Sequence, residues 1–354
     1  MALTWLQVEQ FRCIERVELE LDSRFNLFVG PNASGKTSLL EAMYFLGRGR
    51  SFRTRRLEAL VRQGARSFVI VGRVGGPTKQ MTVGVRGARG GTEIRLGGRA
   101  AESVAELAEH FPPQVIDPEV HKLLEEGPGR RRRFLDWGVF HVEPLFLPTW
   151  QRYHRALRQR NAALKQGLGQ SAVAVWMPEL AEAGELLARQ RAEYVERLEG
   201  PVARLGERLL GQEASLVYHR GWGDGVSLEE AVAKDWERDR RLGATQHGPH
   251  RGDVAVKVAG QAAKDRISRG QQKLLAAALT LAQVVVQEEQ QGGRSALLLD
   301  DPAAELDSEG LARLLECVGE LPVQLLVTSL REDVPGLPSS GRRFHVEQGQ
   351  VRTA

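Results

Sequence analysis

Apolar and polar positions alternate along most of the first hundred residues, with the period of strands that bury one face. The pattern predicts strands at residues 3–11, 16–21 and 25–30, and three more between 68 and 98 with glycines at the turns. A helical period over 36–46 interrupts them. Alternating strands joined by short turns predict an antiparallel meander beside the first strands.

The period becomes helical in the middle third of the chain. Residues 149–166 and 172–211 predict two long amphipathic helices, joined by the polar turn "QGLGQ", with the second broken near Pro201. A third helix is predicted from Ser227, where "SLEE" offers a capping box, to about Gly243. The region therefore predicts a mostly helical lobe with a short helical hairpin.

Strand signals return near the C-terminus, beginning at residues 253–259 and followed by a long helix. The strands "SALLLD" and "VQLLVT" are apolar throughout and alternate with helices, which is typical of a parallel sheet covered on both faces. The predicted fold class is α/β: a core that opens at the N-terminus, is interrupted by the helical lobe, and then resumes. The predicted division is 1–100, 101–245 and 246–354.

Composition changes this picture little. The chain has 354 residues, of which 42% are hydrophobic and 27% charged, and its formal net charge is +4. Only 8 of the 49 basic residues are lysines. An arginine bias suits phosphate recognition, because guanidinium groups grip phosphate oxygens in pairs, but a GC-rich genome would produce the same bias.

The chain carries no evident targeting signal. Cys13 and Cys317 have neither metal-binding nor redox spacing and indicate a reducing compartment. The opening "MALTWLQVEQ" lacks the basic and apolar regions of a signal peptide, and the longest apolar run, 274–286, is too short to span a bilayer. We expect a soluble cytoplasmic protein.

The stretch "GPNASGKT" lies between a buried strand and an amphipathic helix. Its glycines, lysine and threonine have the order of a complete Walker A motif. In such a motif backbone N–H groups wrap the phosphates of ATP, the lysine neutralises their charge, and the threonine hydroxyl reaches Mg²⁺. The predicted nucleotide-binding residues are Gly30, Pro31, Asn32, Ala33, Ser34, Gly35, Lys36, Thr37 and Ser38.

The apolar strand "ALLLDD", which ends in two acids, provides the expected partner of this motif. Asp300 is the predicted Mg²⁺ ligand together with Thr37, and Asp301 is predicted to orient or deprotonate the attacking water beside a catalytic Lys36. For such a pair alone, a strand end with a helix-capping acid is the ordinary interpretation. The Walker A motif in the same chain favours the metal site, with ATP and Mg²⁺ as cofactors.

Two further stretches resemble parts of the ABC-type ATPases. "ISRGQ" is similar to their LSGGQ signature, and "ELD" after the two acids is similar to their D-loop. The resemblance implies that Ser268, Gly270 and Gln271 contact a nucleotide held by a second subunit, with Ser268 catalytic in trans and Asp307 close by. A capping serine at the start of a long helix would show the same pattern, because capping and phosphate binding use the same geometry.

A transport subunit of that superfamily is the alternative interpretation. Against it, a helical lobe separates the Walker A motif from the signature, and Thr328 or Ser329 stands where a switch histidine would follow the last strand. The "FR" of "VEQFRCIERVELEL" instead resembles the opening of the SMC-like DNA-repair ATPases, which implies that Arg12 approaches the nucleotide. Gln114 is a further candidate metal ligand, although a buried polar cap explains a lone glutamine equally well.

The chain resembles the RecF family of bacterial recombination mediators over essentially its whole length, in "GPNASGKTSLLEAMYFLGRGRSFR", "GPGRRRRFLDWGVFHVEP", "GPHRGDV" and "LLLDDPAAELD". The resemblance implies an ABC-type P-loop ATPase head with an antiparallel β subdomain and an inserted helical lobe. It also implies an ATP-dependent homodimer that binds duplex DNA near single-stranded gaps and works with RecO and RecR to help load RecA. Asp301 stands where the superfamily usually has glutamate, which predicts slow, DNA-stimulated hydrolysis that acts as a switch.

Arginine runs are the candidates for DNA contact. They comprise Arg130, Arg131, Arg132, Arg133, Arg152, Arg155 and Arg158. Such stripes neutralise phosphates without reading sequence, although a solvated basic face paired with glutamates would show the same pattern. Few aromatic residues interleave them, so contacts with a duplex backbone are favoured over base stacking.

Overall fold

The computed structural model describes residues 2–76, 80–292 and 295–354. The chain divides into two compact units. One combines Met1–Val120 with Arg269–Ala354, and the other is His121–Ser268. The sequence predicted the corresponding boundaries after residues 100 and 245. The boundaries in the structure lie about twenty residues later, because the segment after 101 still contributes a strand (residues 113–116) to the first unit and the strands near 253 belong to the second.

The described strands are β1 (Ala2–Phe11), β2 (Ile14–Glu20), β3 (Phe25–Val29), β4 (Ser67–Gly75), β5 (Gln80–Ala88), β6 (Gly91–Leu96), β7 (Arg99–Ala100), β8 (Pro113–Ile116), β9 (Ala214–His219), β10 (Asp253–Val258), β11 (Gln261–Ala262), β12 (Ala296–Asp300), β13 (Gln324–Ser329), β14 (Arg342–Glu347) and β15 (Gln350–Thr353). They form one antiparallel sheet, one largely parallel sheet and one small three-stranded sheet. The first two sheets lie in the first unit and the third in the second.

The described helices are α1 (Lys36–Arg48), α2 (Ala105–His110), α3 (Lys122–Glu125), α4 (Pro128–Val142), α5 (Phe146–Lys165), α6 (Gln170–Ala174), α7 (Met177–Leu210), α8 (Leu228–Lys234), α9 (Trp236–Leu242), α10 (Ala263–Arg266), α11 (Arg269–Gln291), α12 (Pro302–Glu305) and α13 (Ser308–Gly319). Short 3-10 turns occupy Leu57–Leu60 and Pro249–Arg251. No helix of the described residues is long and apolar enough to cross a membrane.

The antiparallel sheet has the order β2-β1-β4-β5-β6-β7, which confirms the predicted meander beside the first strands. Its inner face packs on α1. Phe11 of β1 meets Phe68 of β4 at 5.0 Å and Phe45 of α1 at 6.5 Å between ring centroids, in edge-to-face geometry. Nearly every residue of α1 is buried as a result, so the helix that follows the Walker A motif is held by packing on this sheet.

The parallel sheet has the order β15-β14-β3-β13-β12-β8, and β15 alone runs antiparallel to its neighbour. The predicted parallel core is confirmed. The pairing sets β13 between β3 and β12, so that the carboxyl ends of all three meet at one edge of the sheet, where α/β folds place their ligand sites. The sequence missed β8, which has only four residues, and the C-terminal hairpin β14–β15, whose outward positions are polar.

The second unit packs α5 against α7 and adds the sheet β11-β10-β9. Helix α7 runs unbroken through Pro201, so the predicted break is wrong. An internal proline costs about 3 kcal/mol, but α7 buries one continuous face, including Leu187, Tyr194 and Leu205, on both sides of that point. The burial of that face outweighs the lost hydrogen bond.

The predicted third helix begins as expected, because Ser227 and Glu230 form a reciprocal capping box. It is not one helix but two, α8 and α9, which are separated at Asp235. The Asp235 carboxylate accepts a hydrogen bond from His247 Nε2 at 2.8 Å. The junction between the two helices is therefore tied through Asp235 to the loop that follows α9.

Candidate functional site

The loop between β3 and α1 requires its glycines. A Cβ on Gly30 would lie 2.1 Å from the carbonyl oxygen of Val346, so no side chain fits there. Gly35 caps α1 with φ near 113°, a conformation that L side chains rarely adopt, and Ala33 is also left-handed at 60°. This backbone turns sharply after the buried strand and directs the first N–H groups of a long helix toward one point, the geometry of an anion site.

The Lys36 ammonium lies within that loop. Its Nζ donates to the carbonyl oxygens of Gly30 at 2.7 Å and Pro31 at 2.9 Å. Desolvation lowers the pKa of Lys36, and the charges of Asp301 and Asp300 oppose that shift. The Ser34 hydroxyl is buried and has no hydrogen-bond partner among the described residues. The loop therefore offers an ammonium and a hydroxyl donor, which fit a phosphate.

Thr37 and Asp300 are brought together as predicted for a metal pair. Thr37 Oγ1 donates to Asp300 Oδ1 at 2.9 Å, and Thr328 Oγ1 donates to the same oxygen at 2.8 Å. Burial raises the pKa of Asp300, and these two hydrogen bonds oppose the rise. One carboxylate with adjacent hydroxyl oxygens is the kind of ligand set that Mg²⁺ accepts beside phosphates.

Thr328, at the end of β13, also fixes the neighbouring acid. Its hydroxyl accepts the backbone N–H of Asp301 at 2.9 Å, and Asp301 has a left-handed φ of 47°. The side chain of Asp301 is only partly buried. Desolvation raises the pKa of Asp301 and the nearby Lys36 lowers it. The carboxyl group that would act on water is thus held in a strained turn beside the lysine.

Gln114 is the one predicted metal ligand that the structure does not bring to this point. Its Oε1 accepts from Arg48 at 2.9 Å, and its Nε2 donates to Gln283 at 3.1 Å. In the sheet it lies beside Leu297, three residues before Asp300 on β12, which is roughly 10 Å along the strand. Both ends of the amide therefore stabilise packing within the unit, and the metal-ligand role of Gln114 stays a prediction.

Arg12, which is predicted to approach the nucleotide, forms a bidentate ion pair with Glu41 of α1. Its Nε and NH2 lie 2.9 and 2.8 Å from the two carboxylate oxygens. Ser51 also donates to Glu41, and Arg53 lies 3.6 Å from it. Glu41 is completely buried, and sequence reasoning missed it. A charged residue within the apolar face of "SLLEAMYFL" was the available signal.

The signature residues lie at the surface. Ser268 and Gly270, at the start of α11, are exposed, and Gln271 is partly exposed. One turn into this helix Lys273 forms an ion pair with Glu305 of α12, which links the helix to the segment after Asp301. Asp307 is the N-cap of α13, where its Oδ1 accepts from Gly310 N at 2.7 Å. The Asp307 carboxylate thus caps α13, and its contact with the nucleotide stays a prediction.

Several predicted DNA contacts are engaged within the second unit. Arg131 donates two hydrogen bonds of 2.8 Å to the Asp253 carboxylate, and Arg132 donates one of 2.7 Å to the Gly252 carbonyl. Both side chains thereby hold the start of β10, the "RGD" of the "GPHRGDV" block. These contacts engage part of each guanidinium within the unit, and the assignment of both residues to DNA stays a prediction.

Arg130 pairs with Glu126 at 3.1 Å, one turn before it. Arg133, on the same helix, is not free either. Arg152 is held by Glu179 at 2.7 Å and by Glu182 at 3.1 Å. Of the seven candidates, Arg155 and Arg158 remain exposed on α5 without an ion pair among the described residues.

The "GPHRGDV" block joins a buried hydrogen-bond network. The Tyr153 hydroxyl lies 2.6 Å from His250 Nδ1, and His250 Nε2 lies 2.8 Å from the Thr245 carbonyl. A carbonyl only accepts, so Nε2 carries the proton, Nδ1 accepts from the tyrosine, and the imidazole is neutral. Burial lowers the pKa of His250 to about 4.

The stability of this unit is therefore expected to depend on pH. The folded pKa of His250 lies below its unfolded value, so the unfolded chain binds the additional proton. The stabilisation is complete above about pH 6.5 and declines as pH falls toward 4, by up to about 1.4 kcal/mol per pH unit. Urea unfolding at pH 7 and pH 5 measures the loss. His250→Gln, which cannot titrate, should flatten the dependence; an unchanged profile would contradict this account.

The sheet order, the phosphate loop and the Thr37–Asp300 pair define a P-loop ATPase fold of the ABC type, in the form found in SMC heads. The sequence matches the RecF/RecN/SMC N-terminal domain family over residues 2–343. It is 37% identical to the DNA replication and repair protein RecF of Vibrio parahaemolyticus, with 100% of both chains covered. It is 38% identical to RecF of Vibrio campbellii, with 99% and 100% covered. The chain belongs to the RecF family.

Solved structures agree with this placement. A structure of the recombination mediator protein RecF with ATP has a TM-score of 0.90 at 26% identity and covers 100% of this chain and 97% of its own. A second RecF structure, described as RecF-ATPrS, has a TM-score of 0.87 at 27% identity, with 99% and 97% covered. An SMC head bound to a domain of ScpA has a TM-score of 0.61 at 16% identity, with 100% and 97% covered, and shows the fold alone.

Proposed function

We propose that this protein is a DNA-binding ATPase of recombinational repair, in which bound Mg-ATP closes two copies into a dimer and slow hydrolysis releases them. The observation that carries the proposal is the Thr37–Asp300–Thr328 contact beneath the Lys36 loop. It joins a phosphate loop to a buried carboxylate at the carboxyl edge of a parallel sheet, the arrangement that P-loop ATPases use.

The residues of the chain have separate roles in this proposal. Lys36 leaves the Gly30 and Pro31 carbonyls and binds the phosphates, while the Ser34 hydroxyl adds a donor. Thr37 and Asp300 hold Mg²⁺, which would neutralise charge that develops on the phosphates. Asp301 orients or deprotonates the attacking water, and its short side chain limits the rate. Arg12 and the completely buried Glu41 support the loop from α1.

The exposed signature supports a site shared between two copies. Ser268 and Gly270 lie at the surface at the start of α11, where a second molecule can supply the triphosphate to them. The Lys273–Glu305 ion pair connects this helix to the segment after Asp301, so that contact with a partner's nucleotide can act on the hydrolytic acid. A closed dimer with two such sites follows from two-fold symmetry.

DNA and protein partners come from the relatives. These are DNA replication and repair proteins, and the structural neighbours are recombination mediators of the RecFOR pathway. For this chain we propose duplex DNA near single-stranded gaps, with RecO, RecR and RecA as partners and a cytoplasmic location. Among the predicted phosphate contacts, the exposed Arg155 and Arg158 have no ion pair among the described residues. Affinity that depends on them should fall steeply with salt.

Mixing two inactive variants tests the shared site. Ser268→Arg blocks the signature and Lys36→Met disables the phosphate loop, so each alone should neither dimerise with ATP nor hydrolyse it. A mixed dimer retains one site with an intact loop and an intact signature. Because neither variant pairs with itself, every dimer in an equal mixture is mixed, and hydrolysis should approach about one half of wild type.

Ser171→Arg, an exposed serine of α6, is the matched control and should be active alone. Light scattering with ATP and a phosphate-release assay provide both measurements. A mixture as inactive as its components, or an active Ser268→Arg protein, would show that the signature does not act across subunits.

A further inference from the structure

The outer face of the antiparallel sheet, which points away from α1, is divided into an acidic half and a basic half. Successive side chains of a strand point to opposite faces, so the positions between the buried ones share this outer face. The acidic half, on β1 and β2, has three outward carboxylates and one guanidinium: Glu9, Glu18, Glu20 and Arg16. The basic half, on β4, β5 and β6, has three outward guanidinium groups and one carboxylate: Arg73, Arg86, Arg95 and Glu93.

The arginines of the basic half have no counter-charge within the described part of the chain. Arg73, Arg86 and Arg95 are exposed, and none of them forms an ion pair with a described residue. Glu93 is the register partner of Arg86 on the neighbouring strand, but the two form no ion pair either. The three guanidinium groups are therefore available to an acceptor from outside.

The acids of the other half are partly engaged. Glu9 lies 3.6 Å from Arg16, and Glu18 accepts a hydrogen bond from Trp5 Nε1 at 3.1 Å. The two halves thus differ in the availability of their charges as well as in sign. A ligand that seeks cations would find them on β4, β5 and β6.

Arg73 is held in place before any ligand arrives. Its guanidinium carbon lies 4.8 Å from the centre of the Trp5 ring, in the position of a cation–π contact. The contact covers one face of the indole, and Trp5 is the one aromatic residue among the described outward positions of these five strands. A face without open aromatic rings suits phosphates better than stacked bases.

The register places the three arginines in one patch. Arg95 pairs with Gly84, Gly84 pairs with Val71, and Arg73 lies two residues beyond Val71 on the same strand. Strand spacing and rise put the Cα atoms of Arg86 and Arg95 about 8 Å apart, with that of Arg73 within about 15 Å of both. The outward positions around them carry small side chains: Val69, Val71, Thr82 and Gly84. A wide, stiff ligand can therefore reach all three guanidinium groups.

We propose that the basic half, through Arg73, Arg86 and Arg95, binds the phosphate backbone of duplex DNA. Duplex DNA carries one charge per about 1.7 Å of its axis, so one side of a duplex can supply an acceptor to each arginine. The acidic half repels the duplex and confines it to β4, β5 and β6. The inference rests on the proposed function and adds to it a DNA contact on the unit that carries the phosphate loop.

Arg86→Gln and Arg95→Gln are the first test. Each removes one exposed charge on the face opposite α1, so the melting temperature and ATP hydrolysis without DNA should not change. With ATP present, the affinity for a short fluorescent duplex should fall roughly 3- to 10-fold for each variant. The slope of log affinity against log salt should decrease by about 1 for each lost contact, because fewer counterions are released.

Two further variants serve as controls. Arg16→Gln removes an exposed arginine from the same face of the same sheet, but from the acidic half, and should remain within about twofold of wild type. Arg73→Lys keeps the charge and loses the planar contact with Trp5. It should retain the salt slope while its affinity falls roughly 2- to 5-fold.

Poly-glutamate is the second probe, because an acidic protein segment is the other ligand that a basic face could take. If Arg86→Gln and Arg95→Gln bind the duplex as wild type does, the proposal is overturned, and loss of poly-glutamate binding in the same variants would assign the face to an acidic protein. Equal weakening by Arg16→Gln would also overturn it, since only net charge would then matter. The proposed function would survive both results, whereas wild-type protein that binds no duplex in any nucleotide state would refute both the function and this site.

Discussion

Lys36→Met is expected to abolish ATP-dependent dimerisation and to weaken ATP binding by at least about 100-fold, since two or more charge-assisted hydrogen bonds are lost at about 1.5–3 kcal/mol each. Methionine matches the length of the lysine chain and suits a site that is only 7% exposed. The fold should therefore persist. Calorimetric titration with Mg-ATP and light scattering give the two measurements.

The control is Lys165→Met, which removes an exposed lysine at the end of α5. It should bind ATP and dimerise as the wild type does, which would exclude a general effect of lost charge. A Lys36→Met protein that still dimerises with ATP would show that the loop between β3 and α1 is not the nucleotide site, whatever its sequence.

Arg160→Met is expected to destabilise the helical unit by about 3–5 kcal/mol, the usual cost of stranding a buried charge. Arg160 NH1 donates to Asp239 Oδ2 and to Thr245 Oγ1, both at 2.7 Å, and Asp239 is completely buried. Without the guanidinium the carboxylate has lost its counter-charge. Urea unfolding followed by circular dichroism at pH 7 measures the loss.

Two further variants sharpen this result. Arg158→Met removes an exposed arginine of the same helix and should change stability by less than about 0.5 kcal/mol. Adding Asp239→Leu to Arg160→Met replaces the whole buried pair with apolar groups and should recover much of the loss. If the double variant were no more stable than Arg160→Met alone, the cost would come from lost packing and not from the stranded carboxylate.

The two effects belong to different parts of the molecule. Lys36 acts on a ligand and is nearly neutral for folding, while Arg160 acts on folding and touches no predicted ligand. Both are basic residues of a helix, but only Lys36 stands in a local motif, and the local sequence does not show what Arg160 contacts. In the structure Lys36 donates to loop carbonyls that a phosphate can replace, and Arg160 donates to a buried carboxylate.

The sequence by itself determined the glycine-rich loop between β3 and α1, the pairing of Thr37 with Asp300 and the parallel core. Gly30, Gly35, Lys36 and Thr37 are close in the chain, and a glycine-rich turn between an apolar strand and a helix has few stable conformations. Asp300 could be paired with Thr37 because carboxyl ends of parallel strands share an edge. Apolar residues that recur every two or every 3.6 positions located most strands and helices, because this pattern also depends only on residues close together in the chain.

Only the tertiary structure decided which charged side chains are available. Arg152 lies in the same basic run as Arg155 and Arg158, and Arg131 and Arg132 lie in a similar one, yet each of the three contacts a carboxylate or carbonyl that is distant in the chain. Glu41 and Gln114 likewise acquire their roles from neighbours far away in sequence. A charge or donor is neutralised by whatever folding brings within about 3 Å of it, and local pattern does not contain that information.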